Sequence, residues 1–399
     1  MNAMLNQDII REATRLTRAG QLVEATALLQ RMLRGDGAPD APSRTGGRIA
    51  LAAPLIIDAE ANVIEETDRQ PQPEPVASAQ PRMRRTLLDR KKGRSGIGLR
   101  GVKRAPLSTP DIVPEGARFI EGTYSSRAGS RAYRLFIPSS YQERPLPLVV
   151  MLHGCTQSPD DFAAGTRMNF IAEEQGCFVA YPAQPRQANQ AKCWNWFRTA
   201  DQQRGRGEPS LIAGVTRQIM DDYLVDRRRV YVGGLSAGAA AAAIMGETYN
   251  DLYAAIGIHS GLACGVATDL PSALLAMRQG GSDHKIISGD RTPVPTIVFH
   301  GDHDTTVHPN NGDQILEQSV RGTSTQKKVQ RGQVPGGHAY TRTILSDASG
   351  RGMLEHWNIH GAGHAWSGGS PVGTYTDPRG PDATREMLRF FLEHSLPEN

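Results

Sequence analysis

The pattern of apolar and polar positions changes character twice along the chain. Residues 4–34 place Leu5, Ile9, Ile10, Ala13 and Leu16, then Leu22, Val23, Ala25, Leu28, Leu29 and Leu33 at helical spacing, with a break at Ala19 and Gly20. This predicts a helical hairpin over residues 1–35. Residues 36–115 lose the periodicity, are rich in proline, glycine and polar side chains, and carry one short apolar run at 49–57. Such a stretch buries too little surface to offset its ordering entropy, so it reads as a disordered linker. From residue 116 to 397 the texture is that of a folded domain. Residues 118–124 and 131–137 alternate across a Ser/Gly turn and predict a β-hairpin. Residues 146–152 form a continuous apolar run, as in a buried parallel strand. Further strands are expected at 177–181, 229–233, 254–259, 295–300 and 354–360, with helices at 210–223, 311–320 and 381–395. Strands alternating with helices predict an α/β fold, a mostly parallel central sheet with helices on both faces. The hairpin adds antiparallel strands at one edge, and the active site is expected at the carboxyl ends of the strands.

Composition narrows the class only a little. The chain has 399 residues, 39% hydrophobic and 22% charged, which is ordinary globular material. No run approaches the roughly 18 apolar residues of a membrane-spanning helix, so none is expected. The first residues lack the basic and apolar regions of a signal peptide, which leads to the expectation of a cytoplasmic protein. Four cysteines (Cys155, Cys177, Cys193, Cys264) do not make a disulfide scaffold, and their spacing is not that of a zinc site. They leave room for one structural bridge, for example Cys155 to Cys193. Charge is uneven, with a net of +6 over residues 1–110 and −2 over the rest. Most of the excess lies in the basic segment 82–104, which suits an anionic surface such as a polymer granule. Without interleaved aromatics or a nucleic-acid fold signature, no nucleic-acid partner is expected.

The stretch that carries chemistry is 229–246, RVYVGGLSAGAAAAAIMG. Val230, Tyr231 and Val232 read as a buried strand, Gly234 to Gly238 is a G-x-S-x-G pentapeptide, and the alanines after it favour a helix. Strand, sharp turn and helix are the context of a nucleophile elbow. Glycines two residues to either side of Ser236 keep side chains out of a tight turn. The helix N-terminus beside the serine favours developing negative charge.

A serine nucleophile needs a base, an orienting carboxylate and an oxyanion hole, in the chain order Ser, Asp, His. After the strand ending near His300 come Asp302 and Asp304. Asp302, next to the strand end, suits a turn cap, and Asp304 reaches further toward the sheet top, so Asp304 is the expected carboxylate. After the last strand, residues 361–366 (GAGHAW) put His364 where the base belongs. His360 and His338 are the rivals, and His303 and His308 read as peripheral. The turn at His153 and Gly154 after the strand 146–152 offers a backbone N–H, so the N–H groups of Cys155 and Ala237 are the expected oxyanion donors. Cys155 as a nucleophile is the weaker alternative, since no base is evident beside it. The aromatic segment 193–197 (CWNWF) and Trp366 make Trp194, Trp196 and Trp366 candidates for a substrate pocket, against plain core packing.

Five motifs in order, HGCTQS at 153–158, CWNWF at 193–197, GLSAG at 234–238, HGDHDTTVHP at 300–309 and GAGHAWSGG at 361–369, resemble the polyhydroxybutyrate-depolymerase-type esterases, relatives of feruloyl and acetylxylan esterases. The resemblance covers about residues 116–396. It implies an α/β-hydrolase fold, no cofactor or metal, and a triad of Ser236, Asp304 and His364. The expected activity is serine ester hydrolysis of a short-chain hydroxyacyl polymer, oligomer or small ester. Feruloyl or acetylxylan ester hydrolysis is the alternative, and a vestigial granule-binding protein is the other. Members of the family are largely secreted, so an extracellular site stands beside the cytoplasmic expectation.

Overall fold

A computed structural model describes residues 112–281, 293–319 and 326–398. The expected N-terminal hairpin, the linker as far as residue 111 and the basic segment 82–104 lie outside the described residues. Twelve strands and seven α-helices follow in the described part. The strands are β1 (Arg118–Ser126), β2 (Gly129–Ile137), β3 (Leu146–Leu152), β4 (Phe178–Pro182), β5 (Val225–Leu235), β6 (Ala255–His259), β7 (Thr296–Gly301), β8 (Gln326–Gln333), β9 (Ala339–Ser346), β10 (Gly352–Ile359), β11 (Trp366–Ser367) and β12 (Thr376–Asp377). The helices are α1 (Pro159–Thr166), α2 (Met168–Gln175), α3 (Gly207–Asp222), α4 (Ala237–Thr248), α5 (Leu270–Gln279), α6 (Asn310–Ser319) and α7 (Ala383–Leu392).

Ten strands form one sheet in the order β1-β2-β4-β3-β5-β6-β7-β10-β9-β8. The six from β4 to β10 run parallel, and the fully buried apolar runs of β3 and β4 suit strands covered on both faces. The expected hairpin is present as β1 and β2, antiparallel at one edge. The other edge was not foreseen: β9 and β8 extend β10 in antiparallel fashion. Their sequence has little apolar alternation, and β8 carries Lys327, Lys328 and Arg331, charges that discourage an edge strand from pairing with another chain. Helices α1, α2 and α5 fill further connections between strands, as the expected alternation of strands and helices implies.

Side-chain alternation along β3 divides the core. Leu146, Leu148, Val150 and Leu152 face a layer that includes α3 and α4, whereas Val149 and Met151 face α1, α2 and α7. The alanines of α4 matter here, because they let this helix lie close to the sheet with all but one of its twelve residues buried.

The elbow depends on a close backbone approach. A Cβ on Gly238 would overlap the carbonyls of Leu152 and His153, and one on Gly234 would meet Leu152 and Gly238. Replacing Gly238 by alanine therefore forces β3 and α4 apart. Gly238→Ala is expected to cost about 2–3 kcal/mol or to abolish soluble expression. Gly363→Ala, where an added Cβ meets nothing within 4 Å, should stay within about 0.5 kcal/mol in the same denaturant titration.

Candidate active site

Ser236 sits between the last residue of β5 and the first of α4 with φ 57° and ψ −120°. This left-handed conformation costs a non-glycine residue energy that the surrounding packing must hold in place. The turn is secured from β6, where the His259 carbonyl accepts the Ser236 N–H at 3.0 Å. The amide of Ala237 is the first of helix α4 and, among the described residues, has no acceptor, so it is free to bind an anion. The Cys155 amide likewise lacks an acceptor among the described residues.

Two aspartate–histidine pairs lie at the neighbouring ends of β7 and β10. Asp304 Oδ2 accepts from His364 Nδ1 at 2.7 Å, while its Oδ1 accepts the N–H groups of Thr306 and Val307, each at 2.9 Å. The Asp304 side chain is fully buried and that of His364 is 12% exposed. Burial alone would push the Asp304 carboxyl up, yet the His364 hydrogen bond and charge and the Val307 amide hold it below its usual value. With Nδ1–H given to Asp304, His364 Nε2 keeps a lone pair, the state a general base needs. The second pair is peripheral. Asp302 accepts from His360 at 2.9 Å and from the Gly361 N–H at 2.6 Å, with side chains 32% and 43% exposed. Asp302 thus caps the loop that carries His364, as expected of a residue at the strand end. His360 lies one residue beyond β10, not in the strand. His338, in the turn between β8 and β9, bonds the His360 carbonyl and Asp377 at 2.9 Å each.

Two further histidines brace this end of the sheet. His300 donates Nε2–H to the Val307 carbonyl at 2.9 Å and lies 3.6 Å from Asp304 Oδ2, so it backs the turn that holds the carboxylate. His259 accepts the Ser367 N–H at 2.9 Å and lies between Phe299 and Trp366 in stacked contact. Complete burial, with the neighbouring His300 and His364, lowers its pKa to about 3 and keeps the ring neutral.

The loop after β3 is held by the one bridge the cysteine count left room for and by buried polar groups that the sequence did not point out. Cys155 and Cys193 form a disulfide, which excludes Cys155 as a nucleophile. His153 donates Nδ1–H to the Gly154 carbonyl at 2.8 Å and accepts the Gln184 N–H at 3.1 Å, and burial lowers its pKa to about 4. Gln157 accepts the Gly154 N–H at 2.9 Å. Glu208, buried in the first turn of α3, accepts both the N–H and the side-chain amide of Asn195 at 2.7 Å and the amide of Gln184. Burial pushes its carboxyl up, against the pull of the Gln184 and Asn195 hydrogen bonds. One buried carboxylate thereby anchors the 193–197 segment and, through the disulfide, Cys155. A lone glutamate before a proline carries no sequence signal for this role.

The pocket assignment for the tryptophans needs correction. Trp194 and Trp366 have no exposed surface and Trp196 only 7%. Trp194 donates to the His153 carbonyl at 3.0 Å, and Trp366 donates to Thr384 at 2.9 Å. They pack the two cores beneath the loops, because large rings near a sheet end gain more from burial than from exposure. Trp194 and Trp366 therefore cannot touch a substrate. Among the described residues, no group of three or more His, Cys, Asp or Glu side chains could hold a metal ion, and no helix is long and apolar enough to cross a membrane.

A mostly parallel sheet with a strained serine turn after a central strand, and aspartate and histidine loops two and three strands away, defines the α/β-hydrolase class. Residues 131–328 match the family model described as Esterase PHB depolymerase. This part of the chain belongs to that esterase family. Poly(3-hydroxyalkanoate) depolymerase C of Paucimonas lemoignei is 32% identical over 236 residues, 57% of this chain and 55% of that protein. Feruloyl esterase B of Thermothelomyces thermophilus is 26% identical over 248 residues, 58% of this chain and 82% of that protein. The chain thus spans only about half the length of the depolymerase it matches. Among solved structures, an acetyl xylan esterase from Aspergillus awamori superimposes with a TM-score of 0.54 at 20% identity, covering 69% of this chain and 99% of that one. At that identity the likeness concerns the fold.

The disulfide closes a loop of 38 residues, so the double variant Cys155→Ala/Cys193→Ala should lose about 3–4 kcal/mol in denaturant unfolding. The buried histidines set a pH dependence. His153, His259 and His356 have values lowered to about 4, 3 and 4, chiefly by burial, from an ordinary 6.5. Below pH 6.5 the unfolded chain takes up protons that the folded chain refuses, so stability is full above that value and falls as pH drops toward 4. Glu208, displaced the other way, offsets part of this at the acid end. Melting at pH 5.0 is expected roughly 5–10 °C below that at pH 7.5; equal melting temperatures would contradict the assignment of these rings as neutral.

Proposed function

We propose that the protein is a serine esterase that hydrolyses short-chain hydroxyacyl esters, as polyhydroxyalkanoate polymer or oligomers, through an acyl-enzyme. In this reading His364 Nε2 takes the proton of Ser236 Oγ as the oxygen attacks the ester carbonyl. Asp304 holds the imidazole in the required tautomer and stabilises the imidazolium that forms. The N–H groups of Cys155 and Ala237 receive the negative charge that develops on the carbonyl oxygen, each worth roughly 3 kcal/mol of barrier. The alcohol leaves with the proton from His364, and water activated by the same ring then releases the acyl group. The observation that carries this reading is the buried 2.7 Å Asp304–His364 pair at the same end of the sheet as the strained serine.

The substrate class rests on the family match and on the 32% identity to the depolymerase. A second reading, hydrolysis of feruloyl or acetyl esters on a polysaccharide, draws on the match that spans 82% of feruloyl esterase B. A hydrolysis panel separates the two: short p-nitrophenyl esters, 3-hydroxybutyrate oligomers, amorphous polyhydroxybutyrate and methyl ferulate. Preference for the hydroxybutyrate substrates is expected, and preference for ferulate or acetyl esters would move the protein to the second class.

The same panel tests the residues. Ser236→Ala should lower kcat about 10⁴-fold or more, and Asp304→Asn about 10³–10⁴-fold. Asp302→Asn, which loosens only the peripheral pair, should stay within about 5-fold. Comparable losses in both aspartate variants would reverse the assignment. A wild-type chain with no Ser236-dependent turnover, and no labelling by a fluorophosphonate, would leave a binding protein on a hydrolase fold.

A further inference from the structure

With the tryptophans buried, the described residues offer a different aromatic side chain at the site. Tyr375 lies on the strap between β11 and β12 and is 47% exposed. Two contacts bring it between the oxyanion loop and the base loop. Its hydroxyl lies 3.2 Å from Thr156 Oγ1, and Thr156 directly follows Cys155. Its carbonyl accepts the N–H of Trp366 at 2.7 Å, two residues beyond His364.

The strap is not free to move away. The neighbouring Thr374 donates its N–H to Asp161 at 3.0 Å, and the Gln157 amide donates to the Thr374 carbonyl and to Asp161 at 3.1 Å each. Gln157 also accepts the Gly154 N–H, so one buried side chain ties the strap to the oxyanion loop.

Backbone strain gathers around this place. Seven non-glycine residues among those described have positive φ, and five of them, Thr156, Lys192, Ser236, Ser260 and Tyr375, lie on the segments that meet here. Tyr375 has φ 54°, a conformation that a bulky aromatic residue rarely adopts. Strain of this kind persists where the surrounding structure imposes it, and it concentrates at ligand clamps. An aromatic ring held in that conformation, half in solvent and pinned at its hydroxyl, is pre-organised to offer apolar area to a ligand at little further entropic cost.

We propose that Tyr375 is a specificity-determining residue whose ring covers the part of the substrate extending beyond the scissile ester. This rests on the esterase reading above. In this proposal the Thr156–Tyr375 contact sets the ring as a wall beside the residue that follows the Cys155 amide. A substrate no larger than the ester group itself does not need that wall, whereas an oligomer or aryl ester does.

The test compares Tyr375→Ala, Tyr375→Gly and Tyr375→Phe on two substrates. One is ethyl acetate; the other is whichever of the 3-hydroxybutyrate trimer and methyl ferulate the wild type turns over faster. Alanine and glycine should lower kcat/KM for the larger ester about 10-fold, mainly through KM, and leave ethyl acetate within about 2-fold. Phenylalanine, which keeps the ring, should stay within about 3-fold on both. Glycine adopts the positive φ without strain, so a loss shared by alanine and glycine reflects the ring and not the backbone. Leu224→Ala, equally exposed at the amino end of β5, should change neither substrate.

Equal losses on both esters would make Tyr375 a support of the oxyanion loop and overturn the proposal. Unchanged kinetics on the larger ester in the alanine and glycine variants would overturn it as well. Fluorophosphonate labelling separates this failure from that of the esterase reading. Labelling at wild-type rate in all variants, with unchanged kinetics, removes Tyr375 alone. No labelling of the wild type removes the esterase reading and this inference with it.

Discussion

The carbonyls of Leu152 and His153 lie against the backbone of Gly238, and everything at the carboxyl end of the sheet depends on that approach. It brings the first turn of α4 against the end of β3. The amide after the serine and the amide after Gly154 are thereby kept on neighbouring segments. The same approach leaves no room for a side chain at Gly234 or Gly238 and holds Ser236 at positive φ. A strained serine and two amides without an acceptor among the described residues follow from one packing contact, and the parallel strands on either side make it rigid.

Around that contact the loops are held by buried polar groups and not by apolar packing alone. Glu208, Gln184, His153 and the Cys155–Cys193 bridge secure the loop after β3 from one side. Gln157 and Asp161 secure it from the other, through the strap that carries Tyr375. His300 and the amides of Thr306 and Val307 hold the Asp304 carboxylate in place. A buried polar group left unpaired costs more than a satisfied one returns, so such a network admits few arrangements. Positioning of this kind is what electrostatic stabilisation of a transition state requires, since the dipoles need not reorient as charge develops.

The family explains the chemistry of the chain more readily than its substrate. Relatives that match this chain include a polyhydroxyalkanoate depolymerase and a feruloyl esterase. By name, the one acts on a poly(3-hydroxyalkanoate) and the other is a feruloyl esterase. In this chain the strap between β11 and β12 touches both the loop after β3, through Thr156, and the segment after His364, through Trp366. The basic segment 82–104 and the helical periodicity before it lie outside the described residues.

The amino-acid sequence alone determined the parallel core, since apolar runs such as 146–152 and 295–300 can be buried only between two helical layers. It also determined the elbow, because G-x-S-x-G between a β-branched strand and an alanine helix is a local pattern with a local steric reason. Asp304 was expected over Asp302 from its reach into the loop, and His364 over His360 from its place in the glycine-rich loop after the last strand; in the structure the Asp304–His364 pair is the more buried of the two. The β8–β9 edge escaped notice because its strands alternate weakly, and their pairing is set by β10 and not by their own pattern. Tertiary structure alone decided which aromatic rings are buried. Trp194 and Trp366 are at home in a loop or a core on sequence grounds, and only the closing of both layers beneath the loops put them inside and left Tyr375 outside. It alone decided the partners of Glu208, 13 and 24 residues from the amides it holds. Hydrogen bonds across such separations have no periodic signature, because they arise from where the chain returns and not from what precedes it.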